Sequence, residues 1–331
     1  MNYPFFDCCE ALKESLTRRY IPMDTLNVIL SSLSASTKRN YNCVYKNWWV
    51  FRSCHKQTFF VADALDVLSF LQNMFDNGKK YSSLNTARAA LSVLLTPVEP
   101  MTIGEDKNIK RWMKGAFKTR PQFPKYKSTW DPSTVLHYLS SLFPLDGLTL
   151  KDLTLKLTGL LALATAQRVQ TLSLLKVQNV IKADDKICIS ITDIIKTSRP
   201  GAEQPLIVIP YFRAQPELCV ASTLYFYLSK TQDLRTSDRI LISFQKPYKP
   251  VGPQSISRWV KTVLERAGID TSVFSAHSTR HATTSFALRQ GVDINAIRKA
   301  AGWSDSSRVF NQFYNRPVDS SIAFASSVLE Q

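Results

Sequence analysis

The sequence has no stretch of about 18 consecutive apolar residues, so no transmembrane helix and no membrane partner are expected. Its first twenty residues, MNYPFFDCCEALKESLTRRY, are acidic early and lack the apolar core of a secretory leader, so no signal peptide is expected. Cysteine is scarce: Cys8, Cys9, Cys43, Cys54, Cys188 and Cys219 form no C-x-x-C pair. That usage predicts reduced, structural thiols in an intracellular protein, and no zinc knuckle. Internal repeats and low-complexity tracts are also missing. Histidine is rare, at four in 331 residues. Acidic residues are outnumbered, 26 against 42 Lys and Arg, which leaves a formal charge of +16.

That surplus of positive charge points to a polyanionic partner, most often nucleic acid. The alternative is a basic surface that serves only solubility. Hydrophobic residues make up 44% and charged residues 21%, enough to bury a real core. At roughly 150 residues per domain, the length suggests about two domains.

Helical spacing dominates residues 24–117. DTLNVILSSL and STKRNYNCVYKNWWVFRSC are the first two helices, with Ser36 or Thr37 as the expected cap of the second. Tyr41, Val44, Tyr45 and Trp48 fall on one face of it. VADALDVLSFLQNMFDNG, closed by Gly78, and SSLNTARAALSVLL follow. The fifth helix, EDKNIKRWMKGAFKTR, sets an apolar stripe (Ile109, Trp112, Met113, Ala116, Phe117) beside a basic one (Lys107, Arg111, Lys114, Lys118). PQFPKYKSTWDP is aperiodic and reads as a linker that carries Lys125 and Lys127. A basic helix feeding a basic strap suits a chain that wraps a duplex backbone, and it also suits a merely solvated connection.

Asp131–Pro132 predicts a new helix start, cap then proline. LTLKDLTLKLTGLLALATAQR reads as an apolar central helix. KICISITDI alternates like a strand, PLIVIPYF is a second, and Pro200–Gly201 between them predicts a hairpin. Helices return in ELCVASTLYFYLSKT, SISRWVKTVLERAG, HSTRHATTSFALRQG, DINAIRKAAG and SSRVFNQFYN. The expected fold class is therefore mainly α with a small antiparallel sheet, in two mostly helical domains.

The densest chemistry lies in HSTRHATTSFA. His277 and His281 are four residues apart and share a helix face. Three readings are open: half of a metal site, a core histidine, or a phosphate-handling site. The metal reading lacks a third ligand and would put Arg280 in the ligand shell. An arginine in a buried helix calls for an anionic partner, and phosphate fits its fork. Arg168, after the apolar LLALATAQ, has no acidic residue close behind it and is a second arginine able to meet the same phosphate.

At these residues the chain resembles the tyrosine recombinases, the phage-integrase group. That pattern runs from an arginine after an apolar helix to a hairpin lysine, H-x-x-R-[HK], G-[HW] and a tyrosine. Arg168, Lys196, His277, Arg280, His281, Trp303 and Tyr314 supply it here in that order. STWDPSTVLHYL, TAQRVQTL, HSTRHA and AGWSDSS look most like recombinases of DIRS-type eukaryotic mobile elements. Two departures stand out: Thr171 replaces the family's acidic residue three positions after the first arginine, and the step from Trp303 to Tyr314 is slightly long.

The resemblance implies an N-terminal extension (1–32), a helical core-binding, SAM-like DNA-binding domain (33–117), a basic linker (118–132) and a catalytic domain (133–331), arranged as a C-shaped clamp on DNA. It implies a DNA recombinase or integrase that works through a 3′-phosphotyrosine, with no cofactor, metal or ATP. Tyr314 would be the nucleophile, although Phe310, Phe313 and Tyr314 also fit one core-facing helical face. Arg168 and Arg280 would hold the phosphate oxygens, Lys196 would protonate the leaving group, and His277 would accept the tyrosine proton or hydrogen-bond the phosphate. Trp303 would donate its indole N–H to a phosphate oxygen and pack the nucleophile helix, and His281 would support the site. Lys38, Arg39, Arg258 and Lys261 join the basic helix and strap as expected contacts to double-stranded DNA. Self-association into a synaptic dimer or tetramer is expected, and a nuclear location if the source is a eukaryotic mobile element. The rival readings are a type IB topoisomerase-like relaxation activity and a domesticated, non-catalytic DNA-binding protein.

Overall fold

The computed structural model describes residues 5–55, 57–96, 102–123, 126 and 128–303. The chain divides into two compact units, Met1–Phe123 and Pro124–Gln331.

The first unit is helical: α1 (Cys8–Arg18), α2 (Leu26–Ser31), α3 (Ala35–Cys54), α4 (Ala64–Asp76), α5 (Tyr81–Leu94) and α6 (Lys107–Thr119). Tyr45, Trp48, Leu71, Leu91 and Ile109 are fully buried in its core. Helix α1 adds to the helices that periodicity predicts. Asp7 caps it through a box with Glu10, and Cys8, Ala11 and Leu12 enter the core. Just beyond it, Arg19 donates to the carbonyls of Val93 and Leu95 at 2.7 and 2.8 Å. The cap of α3 is Ser34, not Ser36 or Thr37. Ser34 is the last extended residue, and its hydroxyl accepts from the Thr37 amide at 3.1 Å. On α6, Ile109, Met113 and Ala116 are buried, while Lys107, Lys110, Arg111, Lys114 and Lys118 are exposed. Phe117, expected in the apolar stripe, is 43% exposed and meets Tyr81 edge-on.

The second unit contains α7 (Pro132–Ser141), α8 (Leu150–Thr165), α9 (Val169–Ser173), β1 (Val180–Lys182), β2 (Lys186–Ser190), β3 (Leu206–Pro210), α10 (Val220–Lys230), α11 (Pro253–Arg266), α12 (Ser278–Arg289) and α13 (Ile294–Ala300). Asp131 caps α7 and Pro132 opens it. Helix α8 is the axis, and α7, α10, α11 and α12 all pack on it. The crossing is tight at Gly159, where an added Cβ would lie 3.1 Å from Val263 and 3.3 Å from Leu139. Lys156, also on α8, is fully buried. Its ammonium donates to the carbonyls of Leu139 and Leu142 at the end of α7, at 2.8 and 2.7 Å. Burial pulls its pKa down to about 8.

The three strands form one antiparallel sheet in the order β1-β2-β3, and Ile187 faces Ile209 as Ile189 faces Ile207. These four isoleucines are buried, so one face of the sheet closes the core. The fold is therefore mainly helical with a small antiparallel sheet. Strand β1 adds to the expected hairpin: Val180 pairs with Ile189. The helix expected in SSRVFNQFYN lies outside the described residues.

Candidate active site

Helix α8 ends at Ala166, whose backbone is left-handed at φ 49, ψ 20. That reversal turns the chain so that Gln167 is buried and Arg168 opens α9 in an extended conformation. The Gln167 amide donates to the Ala300 carbonyl at 2.7 Å, which ties this turn to the end of α13. Gly302 follows at φ 64, a conformation that favours glycine, and a Cβ there would touch Gln167 and Pro205. Pro205 closes the β2–β3 connection, so the connection that carries Lys196 ends against the same turn.

Arg280 joins these pieces. It is 1% exposed, near the start of α12. One arm of its guanidinium donates to the Ala166 carbonyl, and the other donates to the Ala301 carbonyl at 3.1 Å. The group lies 4.9 Å from the centroid of the Trp303 ring, within cation–π range. A buried arginine here is expected to call for an anion. The folded chain supplies carbonyl oxygens and an aromatic face. Both carbonyls sit at helix C-termini, where the peptide dipoles leave partial negative charge. The surroundings also differ from an apolar helix interior, because the buried residues of α12 are largely polar: Ser278, Thr279, His281, Thr284 and Ser285. Local bonds satisfy several of them. Ser278 Oγ donates to the Ser275 carbonyl at 2.7 Å and accepts from the Trp130 indole at 2.9 Å.

His277 is exposed at the mouth of α12, and His281 is buried one turn in, with ring centroids 5.6 Å apart. Among the described residues no group of three or more His, Cys, Asp or Glu is placed to hold a metal ion. Tyr126, from the expected linker, is buried beside His281, centroid to centroid 5.1 Å, and stacks on Phe274 at 5.5 Å.

Lys196 is exposed on the β2–β3 connection. The base of that connection is pinned. Asp193 accepts two bonds from Arg239, at 3.0 and 3.2 Å, and pairs with Lys176 at 3.3 Å. The Arg239 bonds, more than any other influence, hold the Asp193 carboxyl below its ordinary range. Thr171, at the position of the missing acidic residue, is 2% exposed on α9.

The fold thus gathers the Arg168 turn, Arg280 and the Gly302–Trp303 turn, and sets the end of the Lys196 connection against them. Tyr314, Lys125 and Lys127 lie outside the described residues. Lys38 and Arg39 sit near the start of α3, half-buried and exposed respectively. Arg258 and Lys261 are exposed on α11, with Arg258 donating to Ser255 at 3.2 Å. Sequence reasoning misses Gln167, Tyr126, Trp130 and the Asp193–Arg239 pair. Only Gln167 carries a local signal, as a polar residue beside the first arginine at the end of an apolar helix.

The sequence profile of the phage integrase family matches residues 145–320. The chain belongs to the phage integrase family. Among solved structures, the XerH site-specific recombinase bound to palindromic difH substrate, in a post-cleavage complex, has a TM-score of 0.65 at 13% identity, covering 100% of this chain and 98% of that one. The Tn1549 transposon integrase in complex with circular intermediate DNA has a TM-score of 0.55 at 10% identity, covering 98% and 100%. A lambda integrase dimer bound to a COC′ core site has a TM-score of 0.53 at 16% identity, covering 90% and 77%. At these identities the likeness is one of fold. No curated protein matches the chain.

Proposed function

We propose that this chain is a site-specific DNA recombinase or integrase that cleaves and rejoins duplex DNA through a 3′-phosphotyrosine, without metal or ATP. The observation that carries the reading is the pair of hydrogen bonds from Arg280 to Ala166 and Ala301, because it sets the guanidinium beside the turn that presents Arg168. Paired guanidinium groups stabilise a pentacovalent phosphate more than a ground-state diester.

In this reading the Tyr314 hydroxyl oxygen attacks the scissile phosphorus. The bond to the 5′-oxygen breaks, and Lys196 gives that oxygen its proton. His277 takes the proton from Tyr314. Arg168 and Arg280 hold the non-bridging oxygens, Trp303 packs on Arg280, and His281 supports His277. Attack by a 5′-hydroxyl reverses each transfer, so the phosphodiester energy is kept in the covalent intermediate.

The two units would close on DNA as a C-shaped clamp, with 33–117 as the core-binding domain, 118–132 as the strap and 133–331 as the catalytic domain. Lys38, Arg39, Lys107, Arg111, Lys114, Lys118, Lys125, Lys127, Arg258 and Lys261 would meet its phosphates. Assembly into a synaptic dimer or tetramer is part of the proposal, and the DNA-bound lambda integrase dimer supports it. The kinship to DIRS-type elements, and with it a nuclear location, rests on STWDPSTVLHYL, TAQRVQTL, HSTRHA and AGWSDSS alone.

The test is Tyr314→Phe on a nicked suicide substrate. The expected result is retained DNA binding with no covalent protein–DNA adduct on a denaturing gel. An undiminished adduct in that variant would remove Tyr314 from the mechanism. A wild-type protein that binds the substrate and never forms an adduct would point to the domesticated, non-catalytic reading.

A further inference from the structure

Tyr126 stands in a segment with no periodic signal, where Phe123 is 79% exposed, yet Tyr126 itself is only 5% exposed. Its hydroxyl lies 2.6 Å from Ser275 Oγ and accepts from the Ser275 amide at 3.2 Å. Ser275 is two residues before His277, and its carbonyl accepts from the Ser278 amide at 2.8 Å, within the turn that launches α12. The phenol ring stacks on Phe274 and meets His281 in a T-shaped contact at 75°. One side chain therefore holds both ends of the histidine pair: the turn from which His277 projects, and the ring of His281 behind it. His281 in turn meets His277 edge to face at 79°.

From this geometry we infer that Tyr126 is a positioning residue for catalysis, setting the orientation of the His281 and His277 rings through its ring and its hydroxyl. The inference rests on the proposed function, in which His277 takes the proton of Tyr314. An imidazole accepts a proton only along the lone pair of one ring nitrogen, so a small rotation of the ring removes it from reach. Tyr126 blocks that rotation by occupying the volume beside His281 and by fixing the Ser275 turn. Trp130, a second buried aromatic residue shortly after Tyr126, bonds Ser278 rather than a histidine and serves as the control.

The experiment uses the full chain with Tyr126→Leu, Tyr126→Met, Tyr126→Phe and Trp130→Phe. Two quantities are measured: the single-turnover rate of adduct formation at saturating suicide substrate, and the Cε1–H proton resonances of the histidines, assigned by single substitution. Tyr126→Leu and Tyr126→Met are expected to slow adduct formation by roughly ten- to a hundredfold, with the DNA dissociation constant changed by less than about twofold. Both should shift the His281 resonance as the ring current of Tyr126 is lost. Tyr126→Phe keeps the ring and loses only the hydroxyl tie to Ser275, the smaller of the two constraints, so it is expected to restore the rate to within about threefold of wild type and leave the His281 resonance in place. Trp130→Phe should leave that resonance in place as well. An unshifted His281 resonance in the folded non-aromatic variants overturns the inference, and so does a wild-type adduct rate in them. Equal losses of rate in Trp130→Phe and Tyr126→Met would reduce Tyr126 to general packing and overturn it too. If the wild-type chain forms no adduct, the proposed function fails separately, and the His281 resonance still decides the placement of Tyr126.

Discussion

The guanidinium of Arg280 donates to the main-chain oxygen of Ala166, a residue 114 positions earlier and two ahead of Arg168. Its other arm reaches Ala301, 21 positions later. One side chain thus links the ends of α8 and α13 at the place where the family motifs meet.

A lysine at position 280 keeps the charge but loses the planar fork. Arg280→Lys should lose roughly 1–3 kcal/mol of unfolding free energy, because a buried carbonyl is left without its donor. It should also lose covalent cleavage. Urea denaturation alongside the adduct assay checks both, and wild-type stability in the variant would contradict the bridging role.

The exposed basic residues of α6 are separable from its core face. Changing Lys107, Arg111, Lys114 and Lys118 to Gln should alter stability by less than about 0.5 kcal/mol each. The same changes should flatten the plot of log binding constant against log salt by about 0.9 for each phosphate that is no longer neutralised. Ile109→Ala, by contrast, should cost about 2–5 kcal/mol, since that side chain is fully buried. An unchanged salt slope in the Gln variant would take α6 off the DNA-binding surface.

Lys156 predicts a pH dependence with a definite sign. Its pKa falls from the ordinary 10.5 to about 8 in the folded chain. Between those values the folded protein has released the proton and the unfolded chain still holds it, so stability rises with pH across that window. The contribution is fully present above the unfolded value and is lost as pH falls through about 8. The unfolding free energy of wild type minus that of Lys156→Met should therefore climb between these two pH values. A flat difference would mean that the carbonyls of Leu139 and Leu142 keep the ammonium charged.

Covalent cleavage should survive chelation. The adduct assay in excess EDTA should match the untreated reaction. Loss of activity that returns only with added zinc or magnesium would revive the metal reading of His277 and His281.

Much of the fold is legible in the sequence because its signals are local. Asp131–Pro132 marks a helix start by capping chemistry alone, and the alternation of Ile187 and Ile189 marks a strand whose inner face is buried. The order of Arg168, Lys196, His277, Arg280 and Trp303 is legible as a pattern, although not the geometry that joins them. The partners of Arg280 are main-chain carbonyls, which no residue type announces. Tyr126 is invisible for a related reason: its partners are Phe274, Ser275 and His281, and nothing in an aperiodic, proline-bearing stretch signals a hydrogen bond across 149 positions. Ser34 escapes notice because two later hydroxyls look equally good as caps, and only the backbone turn chooses among them.

The ties of Arg280 also set an order of events during synthesis. Ala166 and Arg168 leave the ribosome well before Arg280, and Ala301 emerges later still. A nascent chain that stops short of Ala301 lacks one of the two carbonyls and cannot complete the bridge. The bridge that sets Arg280 beside the Arg168 turn is therefore among the last ties of the described fold to close.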